Sequence, residues 1–285
     1  MSIDREKVLG AELPAGAASW GPDDVILYHL GLGAGAAPTD PNELAYTYER
    51  DLKVLPSFAV IPVFGALGGL GGLDGFDVNF AMLLHGEQDI EIHAPIPQAG
   101  EVSTTSRITD VFDKGKGALV VLEATSTTPD GEVLFVNRFS LFIRGEGGFG
   151  GESGPAPGNP ALDRAPDVEV ECPTLAQQAL LYRLSGDKNP LHADPEFAKL
   201  GGFDRPILHG LCSFGIACKA VVDASLGGDV EPVARYQGRF AGVVFPGETL
   251  VVRQWRQDGR IVLDVQTKER GTPVISNAAI TLRSV

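Results

Sequence analysis

A segment rich in glycine and proline, from Arg144 to Asp167, divides this chain of 285 residues into two parts of similar length. Its sequence, RGEGGFGGESGPAPGNPALDRAPD, follows neither the period of about 3.6 residues that marks a helix nor the alternation that marks a strand. We therefore predict an N-terminal domain over residues 1–145, a linker over 146–159 and a C-terminal domain over 160–285.

Both parts contain runs in which apolar or β-branched residues alternate with polar ones between short turns. The first part has GEVSTTSRITDVFDKG, GALVVLEATSTTPDG and EVLFVNRFSLFIRG, and the second has ARYQGRFAG, ETLVVRQWRQDG, RIVLDVQTKERG and TPVISNAAITLRS. This alternation predicts antiparallel strands. The turn sequences APIPQAGEV and VVFPGETL are also alike and occupy matching places, which indicates a duplication.

Helical signals precede the strands of the second part. Thr174 can cap a helix over LAQQALLYRL, and LCSFGIACKAVVDASL is long and apolar enough for a buried helix. An apolar helix followed by an antiparallel meander predicts an α+β fold in which the sheet wraps around the helix.

Charge and cysteine usage exclude several classes of protein. The net charge of −14 repels a phosphate backbone, so we expect no nucleic-acid partner, and an anionic ligand must find local lysine or arginine. No apolar run approaches the roughly 18 residues that span a bilayer, so we expect no membrane partner. Cys172, Cys212 and Cys218 follow no CxxC spacing, and the first residues lack the apolar core of a signal peptide; both features favour the cytoplasm.

Ionisable and amide side chains are concentrated in the loop YRLSGDKNPLHADPEFAKLGGFDRPILHG between the two predicted helices. Asp187, Asn189 and His192 lie close together in sequence, and Pro190 prevents a helix there, so the three side chains can converge. A carboxylate and an imidazole can supply a base that takes a proton from water and an acid that returns one. The Asn189 amide, which both donates and accepts, can hold the water or fix the pair.

Gly210, directly after His209, opens the predicted apolar helix. The first N–H groups of a helix have no intrahelical acceptor, so that of Gly210 can bind a substrate oxygen that gains negative charge. Turn stabilisation is an alternative role for Asp187 and Asn189, because these residue types cap loop backbone groups, and the same alternative covers His209.

Other motifs give weaker signals. His192 with Asp194, or His209 with Cys212, resembles part of a metal site, but no third ligand stands at a useful spacing, so we predict no metal. The sequence GLGAGAA lacks the strand that precedes a dinucleotide-binding loop.

The sequence resembles the R-specific enoyl-CoA hydratases of the MaoC-like type, in particular the double hot-dog hydratase of peroxisomal multifunctional enzymes. The resemblance rests on GDKNPLHADPEFA and extends through LLHGEQ, DKGKGALV with SLFIRGEGGFGG, RPILHG and RFAGVVFPGETL, which together span nearly the whole chain. It implies two tandem hot-dog domains, each an antiparallel sheet wrapped around a central helix. Position by position, it makes Asp187 and His192 catalytic, with Asn189 in support and Gly210 as the oxyanion donor.

The resemblance also implies an acyl-CoA site and no cofactor beyond the CoA of the substrate. The residues at its acyl-CoA contact positions are His85, Gly86, Lys114, Asp187, Lys188, Asn189, Pro190, Leu191, His192, Gly210 and Phe240. The first domain has no counterpart of GDKNPLH, so it is expected to shape the acyl tunnel without chemistry of its own. We expect tunnel-lining residues within 54–77.

The implied reaction interconverts trans-2-enoyl-CoA and (3R)-3-hydroxyacyl-CoA in fatty-acid or steroid side-chain metabolism, and a homodimer is expected. Two alternatives remain open: a hot-dog acyl-CoA thioesterase, and a non-catalytic partner subunit that binds acyl-CoA. The sequence leaves the acyl group and the physiological direction undetermined.

Overall fold

The computed structural model describes residues 2–156 and 158–283, in which ten strands form one antiparallel sheet. The strands are β1 Glu12–Trp20, β2 Leu83–Ile92, β3 Gly100–Asp113, β4 Gly117–Thr127, β5 Val133–Arg144, β6 Val168–Pro173, β7 Val233–Phe240, β8 Thr249–Gln257, β9 Arg260–Thr267 and β10 Pro273–Leu282. The α-helices are α1 Arg5–Val8, α2 Pro22–Gly31, α3 Pro41–Thr47, α4 Phe64–Leu67, α5 Gln178–Tyr182, α6 Pro195–Leu200 and α7 Gly210–Leu226. The 3₁₀ helices are Pro56–Val60, Gly68–Gly72, Phe80–Met82, Arg183–Ser185 and Pro190–His192.

The order of the strands repeats between the two halves. Across the sheet it is β1-β3-β4-β5-β2-β7-β10-β9-β8-β6. From the outer edge inward, the first half has the order β1-β3-β4-β5-β2 and the second half has the equivalent order β6-β8-β9-β10-β7. The halves meet where β2 pairs with β7. The similar turns APIPQAGEV and VVFPGETL precede β3 and β8, which are equivalent strands in this arrangement.

The predicted strands form because their alternating residues face opposite sides of the sheet. In β3 and β4, buried and more exposed positions alternate along most of the strand. A single hydrophobic core extends through both halves of the molecule. The α+β prediction from the sequence is confirmed.

Helix α7 is the predicted apolar helix, and most of its 17 residues are buried against the sheet and the first half. A Cβ on Gly215 would lie 2.6 Å from Leu32 and 2.8 Å from the Tyr28 hydroxyl, so only glycine permits this close contact with the α2 region. The helix ends at Gly227, whose φ of +65° is typical of a glycine C-cap.

The first half has no helix of comparable length among its described residues. Its longest is α2 with 10 residues, and the fully buried 3₁₀ helix Pro56–Val60 packs against β2, β5, β7 and α7. The core of the first half therefore depends on α7 of the second half for part of its packing.

The segment between β5 and β6 has no helix or strand in its described residues. It follows the surface of the β3–β4 turn, where the Asp113 carboxylate accepts hydrogen bonds from the N–H groups of Gly148 at 2.8 Å and Gly150 at 2.7 Å.

Among the helices of residues 2–156 and 158–283, none combines the length and the apolar character that a membrane-spanning helix needs.

Candidate active site

The loop after α5 is shaped by its own short polar side chains. The Asp187 carboxylate accepts a hydrogen bond from the Asn189 N–H at 3.0 Å, and the Asn189 side-chain oxygen accepts one from the Leu191 N–H at 3.0 Å. Pro190 begins the 3₁₀ helix Pro190–His192, which suits its fixed φ. The turn-stabilising role considered for Asp187 and Asn189 is therefore present, and the resulting loop places His192 in the interior.

Asp187, His192 and His209 meet although His209 comes much later in the chain. The polar atoms with which they could bind a metal ion all lie within 4.8 Å of one another. The two imidazole rings are stacked, with centroids 3.8 Å apart and planes inclined by 30°. The structure thus brings together the predicted acid/base pair and adds a second histidine.

The hydrogen bonding of His192 determines which ring nitrogen is available for chemistry. Its Nδ1 lies 2.8 Å from the Ile207 carbonyl oxygen, which can only accept, so Nδ1 carries the proton. Burial lowers the pKa of His192, and Arg183 acts in the same direction against the raising effects of Ile207 and Asp187. At neutral pH the ring is neutral, and Nε2 has a free lone pair to act as a base.

Gly210 is the first residue of α7, as predicted, and it lies against the Phe240 ring. A Cβ at this position would lie 3.2 Å from two ring carbons of Phe240, closer than most real contacts of that kind. The glycine lets the start of the helix approach the aromatic wall of the site, with its N–H in the first turn.

A cavity of about 630 Å³ lies beside the β3–β4 turn and the end of β7. Four residues predicted to bind substrate line it: His85, Gly86, Lys114 and Phe240. The His85 and Phe240 rings lie 4.8 Å apart, and Phe240 also contacts the start of α7. Phe240 therefore lies between the cavity and the start of α7.

A β-bulge at Gly86 directs His85 toward the cavity. The pairing of β2 with β5 shifts register between His85 and Glu87, and a Cβ on Gly86 would lie 3.2 Å from the Ser140 carbonyl oxygen. Burial lowers the pKa of His85 to about 4, so this ring is neutral at neutral pH.

Lys114, in the turn between β3 and β4, lines this cavity and a neighbouring one of about 230 Å³. Its ammonium group donates a hydrogen bond to the Ser153 carbonyl and lies 5.8 Å from the centre of the Phe112 ring. Arg239 also lines both cavities but is paired with Glu87 at 2.5 Å. These cations provide the local positive charge that an anionic ligand of this acidic protein needs.

The remaining residues predicted to bind substrate, which are those of the loop from Asp187 to His192 and Gly210, do not line the 630 Å³ cavity. Lys188 and Pro190 are exposed and Leu191 is partly buried. The Lys188 carbonyl accepts a hydrogen bond from the Arg183 guanidinium at 3.1 Å, which fixes the loop from the side of α5.

Part of the segment predicted to line an acyl tunnel does border a separate cavity of about 150 Å³. Phe58, Ile61 and Pro62 contribute to it together with Trp20. Leu184 and Ser185 form another part of its wall, and they precede the Asp187 loop in the chain.

By distance alone, Asp187, His192 and His209 could hold a metal ion. The expectation that no third ligand joins the histidines was wrong, because the chain returns to place His209 beside His192. The pairs considered from the sequence do not form: Asp194 caps α6, and the Cys212 thiol donates to the Gly31 carbonyl. An ion lies near the plane of each imidazole that binds it, so two stacked rings are poorly placed to share one.

The linker also contributes to the cavity, which the sequence did not predict. One wall of the 630 Å³ cavity is formed by Ser153, Gly154, Pro155 and Ala156. No signal in the linker composition could have shown this, because glycine and proline are equally typical of segments without a ligand.

Fold and site together define a double hot-dog protein with an Asp–His centre at the start of its long helix. Residues 19–145 match the family model described as the MFE-2 hydratase 2 N-terminal domain, and residues 158–278 match the MaoC-like domain. Among solved structures, a MaoC-like dehydratase from Phytophthora capsici aligns with 99% of this chain and 100% of its own at a TM-score of 0.86 and 32% identity. The predicted hot-dog fold is confirmed.

Relatives of similar length match nearly end to end. The enoyl-CoA hydratase ChsH3 of Mycobacterium tuberculosis is 48% identical over 96% of this chain and 97% of its own. The peroxisomal enoyl-CoA hydratase 2 of Arabidopsis thaliana is 41% identical over 96% and 94%. The chain belongs to the hydratase 2 family with a MaoC-like domain, and the predicted family is confirmed.

Proposed function

We propose that this chain is an enoyl-CoA hydratase that interconverts trans-2-enoyl-CoA and (3R)-3-hydroxyacyl-CoA. The observation that carries the proposal is the convergence of Asp187 and His192 on His209, directly before Gly210. Gly210 contacts Phe240, which lines a cavity large enough for part of an acyl-CoA. Two relatives that match nearly the whole chain are named as enoyl-CoA hydratases, which supports the same activity.

In the proposed reaction, the Asp187–His192 pair activates water. The free Nε2 of His192 takes a proton as the water oxygen forms its bond to C3, while the Asp187 carboxylate orients the water and stabilises the charged imidazole. The pair then returns a proton to C2. Water is added across the double bond, and the pair ends in its starting protonation state.

The thioester oxygen gains negative charge as water adds, and we assign its stabilisation to the Gly210 N–H. An N–H in the first helical turn is free to donate, and the helix dipole favours negative charge there. Asn189 supports the pair by capping the turn that carries His192. The CoA portion is assigned to the cavity lined by His85, Lys114 and Phe240.

Further elements of the proposal follow from the family resemblance. Delivery of hydroxide and proton from one side gives syn addition, and the resemblance to the R-specific family implies the (3R) product. The substrates belong to fatty-acid or steroid side-chain metabolism, and the reaction uses no metal or other cofactor. The first domain, over 1–145, shapes the acyl site and joins the catalytic domain over 160–285 through the linker 146–159. We also propose a cytoplasmic homodimer, which light scattering and localisation of the tagged chain would test.

The test is an assay of purified protein with crotonyl-CoA and longer trans-2-enoyl-CoA esters. Hydration removes the conjugated double bond, so the absorbance of the enoyl thioester falls while no CoA thiol appears. A coupled chiral assay identifies the product, and activity that survives exhaustive chelation supports a cofactor-free reaction. Release of free thiol would instead indicate a thioesterase, and binding without any reaction would indicate a non-catalytic subunit.

A further inference from the structure

We infer that His209 is a positioning residue for this reaction: one imidazole fixes the ring plane of His192 and the main chain of Asp187 together. The inference rests on the proposed hydratase function and extends it to a residue outside the predicted acid/base pair. It is carried by five contacts of the His209 ring and backbone.

The first observation is that the His209 ring is buried and contacts two other rings. It is only 1% exposed, with the His192 ring at 3.8 Å and the Tyr182 ring at 5.0 Å between centroids. Its backbone is fixed as well, because its carbonyl accepts hydrogen bonds from the N–H groups of Cys212 and Ser213 at the start of α7. The ring therefore has little freedom to rotate.

The second observation is that the His209 ring forms a hydrogen bond to the main chain of Asp187. Its Nε2 lies 3.2 Å from the Asp187 carbonyl oxygen, which can only accept, so Nε2 carries the proton. Nδ1 has no hydrogen-bond partner among the described residues. His209 thus holds the main chain of Asp187 and, by stacking, the plane of His192, whose own Nδ1 is fixed by Ile207.

The charge state suits this role. Burial, the neighbouring His192 and Arg183 lower the pKa of His209 to about 3, against the raising effect of the Asp187 carbonyl. A neutral imidazole face can stack on His192 when that ring gains a proton from water, because a cation is attracted to an aromatic face. A charged His209 would repel it.

Two substitutions separate the contacts. His209→Gln keeps a side-chain N–H donor but loses the aromatic face, whereas His209→Phe keeps the face and loses the donor. We expect each to lower kcat by roughly tenfold or more with KM within about threefold, because misplaced catalytic groups act on the transition state. In a His192→Ala background, either substitution should add much less than it costs alone.

His29→Gln is the matched control. His29 is also a fully buried histidine, with ring nitrogens bonded to the Tyr46 carbonyl and the Leu55 N–H, but it lies away from the site. It should lower the melting temperature with little change in kcat. Wild-type kcat in folded His209 variants, or losses that multiply fully with His192→Ala, would overturn the inference.

A measurement on the unaltered protein keeps the test decisive if the variants do not fold. Long-range proton–nitrogen correlation spectra of histidine-labelled protein should show His209 neutral with its proton on Nε2 at pH 7. A proton on Nδ1, or a charged ring, contradicts the inference. Inactive wild-type protein would instead contradict the proposed hydratase function, so the two failures are distinguishable.

Discussion

Several histidines of this protein are buried and held in the neutral state. Burial is the largest cause that lowers the pKa of His29 and of His85, each to about 4. Since the ordinary pKa is about 6.5, the folded state binds a proton less readily than the unfolded chain. Their contribution to stability is therefore complete above about pH 6.5 and is lost as the pH falls toward 4.

We predict that the free energy of unfolding decreases between pH 6.5 and 5, a window above most carboxyl titrations. His29 alone should contribute a loss of about 2 kcal/mol over this window. Urea unfolding at several pH values measures the slope, and His29→Gln should make it shallower whatever its effect at pH 7.5. Stability that is constant or rises as the pH falls through this window would contradict the prediction.

Gly210 offers a second test at the scale of single residues. An alanine there would place its Cβ 3.2 Å from the Phe240 ring and displace either the helix start or the ring. We predict that Gly210→Ala lowers kcat by roughly tenfold or more, because the proposed oxyanion N–H moves, while the melting temperature changes little. Gly65→Ala in α4 is the control, since a Cβ there meets nothing within 4 Å. Equal kinetics in the two variants would exclude this role of Gly210.

At the scale of elements, the sequence predicted those helices and strands whose pattern is set by residues close together in the chain. Alternation identified β3 and β4, and the apolar run beginning at Gly210 identified α7, because both periods are local. The stacking of His209 on His192 could not be predicted, since it depends on how the chain returns after α6. The cavity wall made by Ser153–Ala156 likewise depends on where the β3–β4 turn lies.

The β3–β4 turn carries a prediction about CoA recognition. Lys114→Ala should raise KM for enoyl-CoA about tenfold with little change in kcat, because a charged hydrogen bond contributes roughly 1.5–3 kcal/mol. Lys116→Ala, in the same turn but exposed and outside the cavity lining, should leave KM unchanged. Both effects are measured by initial rates.

Lys114 has two possible roles: its ammonium group binds a phosphate of the CoA nucleotide, or it holds the linker through the Ser153 carbonyl. A substrate without the nucleotide separates them. With an enoyl-pantetheine thioester, which lacks the nucleotide phosphates, Lys114→Ala should make little difference. Equal losses on both substrates would mean that Lys114 acts by holding the linker through the Ser153 carbonyl, and the proposed phosphate contact would be wrong.

At the scale of the whole molecule, the two halves depend on each other. β2 pairs with β7, Arg235 pairs with Asp89 at 2.6 Å, and the partly buried Lys219 pairs with Glu43 at 2.7 Å. The repeated turn sequences indicated two similar units, and the repeated strand order agrees with that. Their union in one sheet follows from long-range pairing that no local pattern specifies.

We predict that residues 160–285 expressed alone lose activity on long or bulky enoyl-CoA esters and aggregate. Removal of the first half exposes the edge of β7 and the face of α7 that packs on Pro56–Val60. Light scattering measures the aggregation, and kcat/KM over a series of chain lengths measures the activity. An isolated second half with the full chain's kcat/KM on every substrate would show that the first half does not shape the acyl site.

The central claim is that Asp187 and His192 act as one acid/base unit in hydration. The most direct test compares kcat for Asp187→Asn, His192→Ala and the double variant on one trans-2-enoyl-CoA, with folding checked by melting temperature. General acid–base groups contribute about 10²–10⁴-fold, so each single variant should lose at least about a hundredfold. The double variant should be scarcely slower than the slower single one, because neither residue functions without the other. Near-wild-type kcat in a folded single variant, or losses that multiply in the double variant, would contradict the account.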